Sequence, residues 1–250
     1  VGLLLNENKD DYLNYKPDLL PTYDNEHLSA YNVMVGESEF DDPLHYGMSL
    51  ARTIMSYRGQ EIGSHSYSHY YCKEKGQTLE QFSRDLYASI SITNDKLLET
   101  CRSFVFPKNM IEEEYLCCLK EHGFSIFRNV GTPKFSNQLL ERCFRWLNSY
   151  IKISRDQVQG VTEVEGVRAT VGSRFLRPHS GRLLSYLMVE RIKKELTFAA
   201  KNNSDYHLWW HPHNFGKNTN ENLHNLEKLL KCYRKFKENF GMESVSMRNL

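Results

Sequence analysis

"QEIGSHSYSHYY", residues 60–71, is the stretch on which the reading of this chain turns. It starts as a short strand, and Gly63 with the serines and tyrosines after it carries that strand into a loop. His65 and His69 lie four residues apart, the spacing that puts two imidazoles on one face of a helix and that helical zinc sites use. Gly63 argues instead for a strand end, where parallel α/β folds carry their reactive residues. Alone, the pair stays open between two ligands of one metal ion and two unrelated polar loop residues.

Strand-like and helix-like segments alternate outward from there, as in a βα-repeat fold. Upstream, residues 46–59 place Met48, Leu50, Ile54 and Met55 at helical spacing. Residues 6–45 read as irregular and polar, and "VGLLL" (1–5) reads as the end of a strand whose beginning is missing. Downstream, Thr78 and Gln81 form a capping box for a helix whose stripe is Leu79, Phe82, Leu86, Ile90 and Leu97. "SFVFP" (103–107) is an apolar strand stopped by proline. Asn109 with Glu112 predicts a capped helix ended by Gly123, and "FSIFR" (124–128) is the next strand. Residues 136–150 read as helix and 158–178 as loops and short strands. A long helix over 181–201, the strand "YHLWWH" and a final helix over 220–240 follow, the last burying Leu223, Leu226, Leu229, Leu230, Tyr233 and Phe236 before Gly241. No repeat, low-complexity segment or linker interrupts residues 1–250, so a single domain is expected.

Composition excludes several classes. A net charge of +1 gives no long-range field for nucleic acid or acidic membranes. No apolar run reaches the roughly 20 residues of a membrane-spanning helix. The six cysteines, at 72, 101, 117, 118, 143 and 232, form no CxxC pair and read as buried free thiols, a pattern that leans towards a cytoplasmic setting.

A second histidine cluster lies in "HLWWHPHNFG" (207–216). Pro212 stops strand pairing and stiffens the exit, so His211 is presented at a strand end, where an imidazole can move protons near neutral pH. Trp209 and Trp210 alternate faces, so one is expected in the core while the other can stack on a sugar ring. On its own the "HPH" run is open between a structural and a catalytic role.

Taken in order, "QEIGSHSYSHYYCKEKGQT", "SFVFPKNM", "GFSIFRN", "SRFLRP" and "HLWWHPHNFG" resemble a bacterial branch of the polysaccharide deacetylase family associated with surface-polysaccharide biosynthesis. The resemblance implies an α/β fold, an irregular (β/α) barrel with its site at the C-terminal strand ends. It makes His65 and His69 metal ligands and His211 the general acid. Pro107, Lys108, Trp210 and His213 would line the substrate groove, with Lys108 near where the family commonly has an arginine. The implied cofactor is a divalent metal, zinc first, and the implied substrate an N-acetylated oligo- or polysaccharide. Such a site suits amide hydrolysis by a metal-activated water. Two alternatives stay open: a non-catalytic carbohydrate-binding relative, and a hydrolase of other non-peptide C–N bonds.

The family's first motif supplies two adjacent aspartates from a strand before the one that "VGLLL" is read to finish. The barrel is therefore expected to lack its first strand, and this chain alone is expected to be inactive. Asp41 and Asp42 in "FDDP" are no substitute, because they follow "VGLLL" and because Asp42 suits a helix cap ahead of "PLHYGMSL". His45 is read as structural, Arg128, Arg174 and Arg177 as members of ion pairs before contacts to an anionic sugar or nucleotide-linked precursor, and Tyr67, Tyr70 and Tyr71 as candidates to line a sugar groove, at least one of them core.

Overall fold

The computed structural model describes residues 2–129, 138–153, 158 and 160–250. The start of the helix expected over 136–150 lies outside the described residues, as does position 159 of the loop-and-strand stretch. The chain is a mixed α/β protein that divides into two compact units. The first is Val1–Asn129, Thr162–Ala169 and Val245–Leu250, and the second is Val130–Val161 and Thr170–Ser244.

The first unit opens differently from expectation. Gly2–Leu5 is a 3₁₀ turn, not a strand end. A short apolar run does not by itself distinguish the two. Leu5 is buried with Tyr12, Met48 and Tyr67, and the Leu4 carbonyl accepts the Gly47 N–H at 2.7 Å. Within the stretch read as irregular lies helix α1, Lys9–Tyr15, capped by the Asn8 side chain, which accepts the Asp11 N–H at 2.9 Å. Helix α2, Met48–Met55, forms as expected, but its buried stripe is Met48 and Ala51, with Leu50 and Ile54 exposed.

Helix α3, Leu79–Leu97, begins at the expected capping box. The Gln81 N–H donates to the Thr78 hydroxyl at 3.3 Å, and the Thr78 N–H donates to the Gln81 side chain at 3.0 Å. Thr78→Ala should therefore lower stability by about 1 kcal/mol, read as a lower urea midpoint with unchanged slope. Gly76, just before the cap, has φ +86°, and a Cβ there would meet the Thr22 carbonyl at 2.3 Å, so only glycine fits.

Parallel pairing then positions the site. Strand β1, Ser103–Phe104, pairs in parallel with β2, Ile126–Asn129, across helix α4, Glu113–Glu121. On the other side of β1 a single parallel bridge joins Ser64 to Phe104, all that forms of the strand expected around Gly63. Strands β3, Thr162–Val164, and β4, Val167–Val171, complete the sheet in the order β1-β2-β4-β3. The predicted Asn109 cap does not form: Asn109 ends a 3₁₀ turn, Pro107–Asn109, with φ +55°, and Glu112 precedes α4 without a side-chain cap. At the far end the expectation holds, with Gly123 at φ +83° and the Phe124 N–H closing on the Leu119 carbonyl at 3.0 Å. Behind the sheet, Phe82, Phe104, Phe106, Tyr115, Phe124 and Phe127 are buried with largely edge-to-face ring contacts, Phe104–Phe106 at 4.9 Å among them.

The second unit holds α5, Gln138–Asn148, then β5, Arg174–Phe175, α6, Arg182–Lys201, β6, Leu208–Trp209, and α7, Thr219–Phe240. Strands β5 and β6 pair in parallel, and α6 packs on α7 over Leu176, Met188, Ile192, Leu196 and Leu229. Arg174 is indeed an ion-pair residue, buried against Glu195, which also takes Arg191 at 2.9 Å and the Tyr206 hydroxyl at 2.8 Å. On α7, Leu223 and Leu230 are exposed rather than core, and Asn222 and Asn225 are buried in their place. Asn222 holds its position by accepting the His179 N–H at 2.6 Å and donating to the Lys217 carbonyl at 2.8 Å, so the helix turns a polar residue inward.

Among the described residues the strands form two separate sheets, and no closed ring of strands is made. No helix among them is long and apolar enough to cross a membrane. All six cysteines are free thiols; Cys72, Cys101 and Cys118 are buried, and burial pushes the last two up to about 11.

Candidate metal centre

In the first unit, the C-terminal ends of the three neighbouring parallel segments carry His65, the 3₁₀ turn Pro107–Asn109, and Arg128 with Asn129. His65 directly follows the bridged Ser64. Two left-handed residues, Ser66 and His69, both at φ +61°, then fold the chain back so that the imidazoles meet. Their ring centroids are 4.7 Å apart at 79°.

That backbone is held from below by Asp85. Its buried carboxylate accepts the Tyr67 N–H at 2.8 Å, the Ser68 N–H at 3.2 Å, the Ser68 hydroxyl, and the Tyr31 hydroxyl at 3.2 Å. Burial raises the Asp85 carboxyl, and the donors from Ser68 and Tyr67 pull the other way. The serines complete the turn: the Ser66 N–H donates to the Ser64 hydroxyl at 3.1 Å, and the Tyr70 N–H donates to the Ser66 hydroxyl at 2.8 Å.

His65 is oriented as a ligand would be. Its Nδ1 bonds the Val105 carbonyl, which fixes Nε2 as the available nitrogen. Packing around the ring, with the neighbouring His69, pushes His65 down to about 3, so the imidazole is neutral at physiological pH. A neutral ring with one nitrogen anchored on a carbonyl is the state that binds metal. The pair thus fits two nitrogen donors of a divalent ion. Among the described residues, no group of three or more His, Cys, Asp or Glu that could hold an ion assembles.

Around the pair lie groups that can contact a substrate. Tyr71 stands edge-on to His69 at 5.1 Å, and the Lys108 ammonium lies 3.9 Å from the Tyr71 ring centre and 3.9 Å from the Glu74 carboxylate. Pro107 is buried, and Lys108 projects from a left-handed φ of +50°. Arg128, drawn down to about 10 by burial, donates to the Asn109 side chain at 3.1 Å. Asp41 and Asp42 are engaged locally. Asp41 accepts the Ser38 hydroxyl at 2.8 Å, and Asp42 ties the Gly36 N–H at 2.8 Å to His45 at 2.7 Å instead of capping a helix.

His211, His213 and Trp210 belong to the second unit. His211 is exposed just past β6, its ring 5.7 Å from both Phe175 and Trp209, and His213 stacks on it at 5.2 Å. Alternation sends Trp210 to the core side, stacked on buried Phe215 at 5.9 Å, and leaves Trp209 beside His211. Arg177 lies 6.0 Å from the Phe175 ring and donates to the Ser149 hydroxyl at 2.7 Å.

No family model matches the chain, and no curated protein matches it. A crystal structure of a provisionally named polysaccharide deacetylase from Mycobacterium smegmatis matches over 99% of this chain and 73% of its own, with 16% identity and a TM-score of 0.49. Similarity that distant sets neither family nor function.

Sequence reading missed three residues of these clusters. Asp85 had a signal: it sits three residues after Phe82 on the stripe that packs inward, where a charge needs a reason. Asn109 had none, because its placement follows from a left-handed backbone turn. Phe175 joins Trp209 only through the β5–β6 register.

Proposed function

We propose that the protein catalyses metal-dependent hydrolytic N-deacetylation of acetylated amino sugars in a bacterial surface polysaccharide or its precursor. One observation carries this reading: two imidazoles at a parallel strand end meet at 4.7 Å, one of them neutral and anchored on a backbone carbonyl. When bound, a divalent metal, zinc first, supplies Lewis acidity and an activated water at neutral pH. His65 and His69 would hold it. Lys108 on Tyr71, together with Arg128 and Asn109, would position the sugar. His211 would deliver a proton to the departing amine nitrogen, and Trp209 with Phe175 would offer a ring face for stacking.

Acetate release from N-acetylglucosamine oligomers, with zinc added and then chelated, tests the reading. In a protein that also carries the aspartate pair of the family's first motif, the expected result is zinc-dependent release that His211→Asn lowers by about 10²- to 10⁴-fold. Release that survives both chelation and His65→Ala would overturn it. A second reading, a carbohydrate-binding relative without chemistry, is favoured by the lack of a third ligand side chain among the described residues. Oligomer binding with no acetate release would select it.

A further inference from the structure

The β5–β6 ribbon has two unlike faces. The Leu176 N–H donates to the Trp209 carbonyl at 2.8 Å, so the parallel ladder runs on past Phe175, and side chains alternate along it. Arg174 turns inward to Glu195, and Leu176, Leu208 and Trp210 turn inward to the core under α6 and α7. Phe175, Arg177, Trp209 and His211 share the other face. Phe175 joins them: its ring centre is 4.7 Å from that of Trp209, 5.7 Å from that of His211 and 6.0 Å from the Arg177 guanidinium.

Arg177 lacks the counter-charge that a half-buried cation normally has. Read from sequence as an ion-pair residue, it meets no carboxylate among the described residues. Its Nε donates to the Ser149 hydroxyl at 2.7 Å, and Nη2 reaches the Arg145 carbonyl only at 3.5 Å. Both acceptors are neutral. Burial, followed by the nearby guanidinium groups of Arg145 and Arg174, draws Arg177 below the usual arginine range. Those two arginines have acids of their own, Glu141 at 3.6 Å from Arg145 and Glu195 against Arg174. Ser149 therefore fixes the direction of the Arg177 fork without neutralising it.

We propose that Arg177 selects substrates with an anionic group, a carboxylate or a phosphate, on or next to the sugar that stacks on Phe175 and Trp209; this rests on the deacetylation proposed for the chain. A planar fork pinned at Nε keeps Nη1 and the loosely held Nη2 for a pair of oxygens, a geometry that carboxylate and phosphate share. The rings take the sugar face, and Phe175 sets the charge beside it. A neutral sugar would cover the guanidinium and leave it uncompensated, so the charged sugar is the better fit.

Isothermal titration of the full chain with two matched pairs of sugars tests this. One pair is N-acetylglucosamine and its 1-phosphate; the other is the N-acetylglucosamine dimer and the disaccharide of glucuronate with N-acetylglucosamine. At least one anionic sugar should bind about tenfold tighter than its neutral partner, with the gap shrinking at high salt. The pair with the larger gap tells phosphate from carboxylate. R177Q should lower the affinity for that anionic sugar by about tenfold, and R177K, which keeps the charge without the fork, should lower it less. If R177Q does not fold, the wild-type comparison decides alone. Anionic sugars that bind no tighter than their neutral partners would overturn the proposal and leave the deacetylase reading standing, as would a gap that R177Q preserves. Binding of none of the sugars would overturn both. A charge preference in a protein that releases no acetate would uphold the role of Arg177 and count against the catalysis alone.

Discussion

Asp85→Ala should lower the stability of the chain by about 3 to 5 kcal/mol, a large share of the roughly 5–15 kcal/mol that holds a typical domain folded. The carboxylate is 1% exposed and is the shared acceptor for two backbone N–H groups and the hydroxyls of Ser68 and Tyr31. Alanine leaves all of these donors without that acceptor in a dry place, and each buried donor left unpaired costs about 1–3 kcal/mol before relaxation. The loss should also reach the histidines, because Tyr67 and Ser68 lie between Ser66 and His69, whose left-handed backbone brings the rings together. Asp85→Asn keeps one acceptor oxygen and should fall between wild type and alanine. Urea denaturation measures both. A shift of less than about 1 kcal/mol for Asp85→Ala would mean that the turn holds without its carboxylate.

His65→Ala should weaken zinc binding by at least about 100-fold, since losing only a residue that orients a ligand already costs about 10–100-fold. Nδ1 of this ring is taken by Val105, so the lone pair at Nε2 is what the substitution deletes. Stability should change little by comparison, because the ring is only partly buried. His69→Ala should match it in affinity, and the double variant should lose little more than either single one, as expected of two ligands of one ion. Isothermal titration with zinc reads all three variants. Additive losses would mean two independent weak sites.

Much of the α/β pattern was legible because its signals are local. The capping box at Thr78 and Gln81, the glycines at 123 and 241, and the proline after "SFVF" each act on their own turn, and each does so in the structure. What failed depended on partners. "VGLLL" reads equally as strand or helical turn until something pairs with it. Asn109 looked like a cap, but the left-handed turn after Pro107 carries it to Arg128 instead. Leu223 and Leu230 have the right spacing for core, yet the buried face of α7 is drawn towards Asn222 by the His179 backbone. The site divides the same way. Spacing left the His65 and His69 pair open and suited one face of a helix, whereas the rings meet through two left-handed residues and through Asp85, which holds their loop from a helix brought there by folding.

X-ray absorption at the zinc edge of the metal-loaded chain tests most directly whether the imidazoles at 65 and 69 hold one ion. Two imidazole shells at about 2.0 Å from zinc are expected, falling to one in either single alanine variant. A zinc environment that the double variant leaves unaltered would contradict the account.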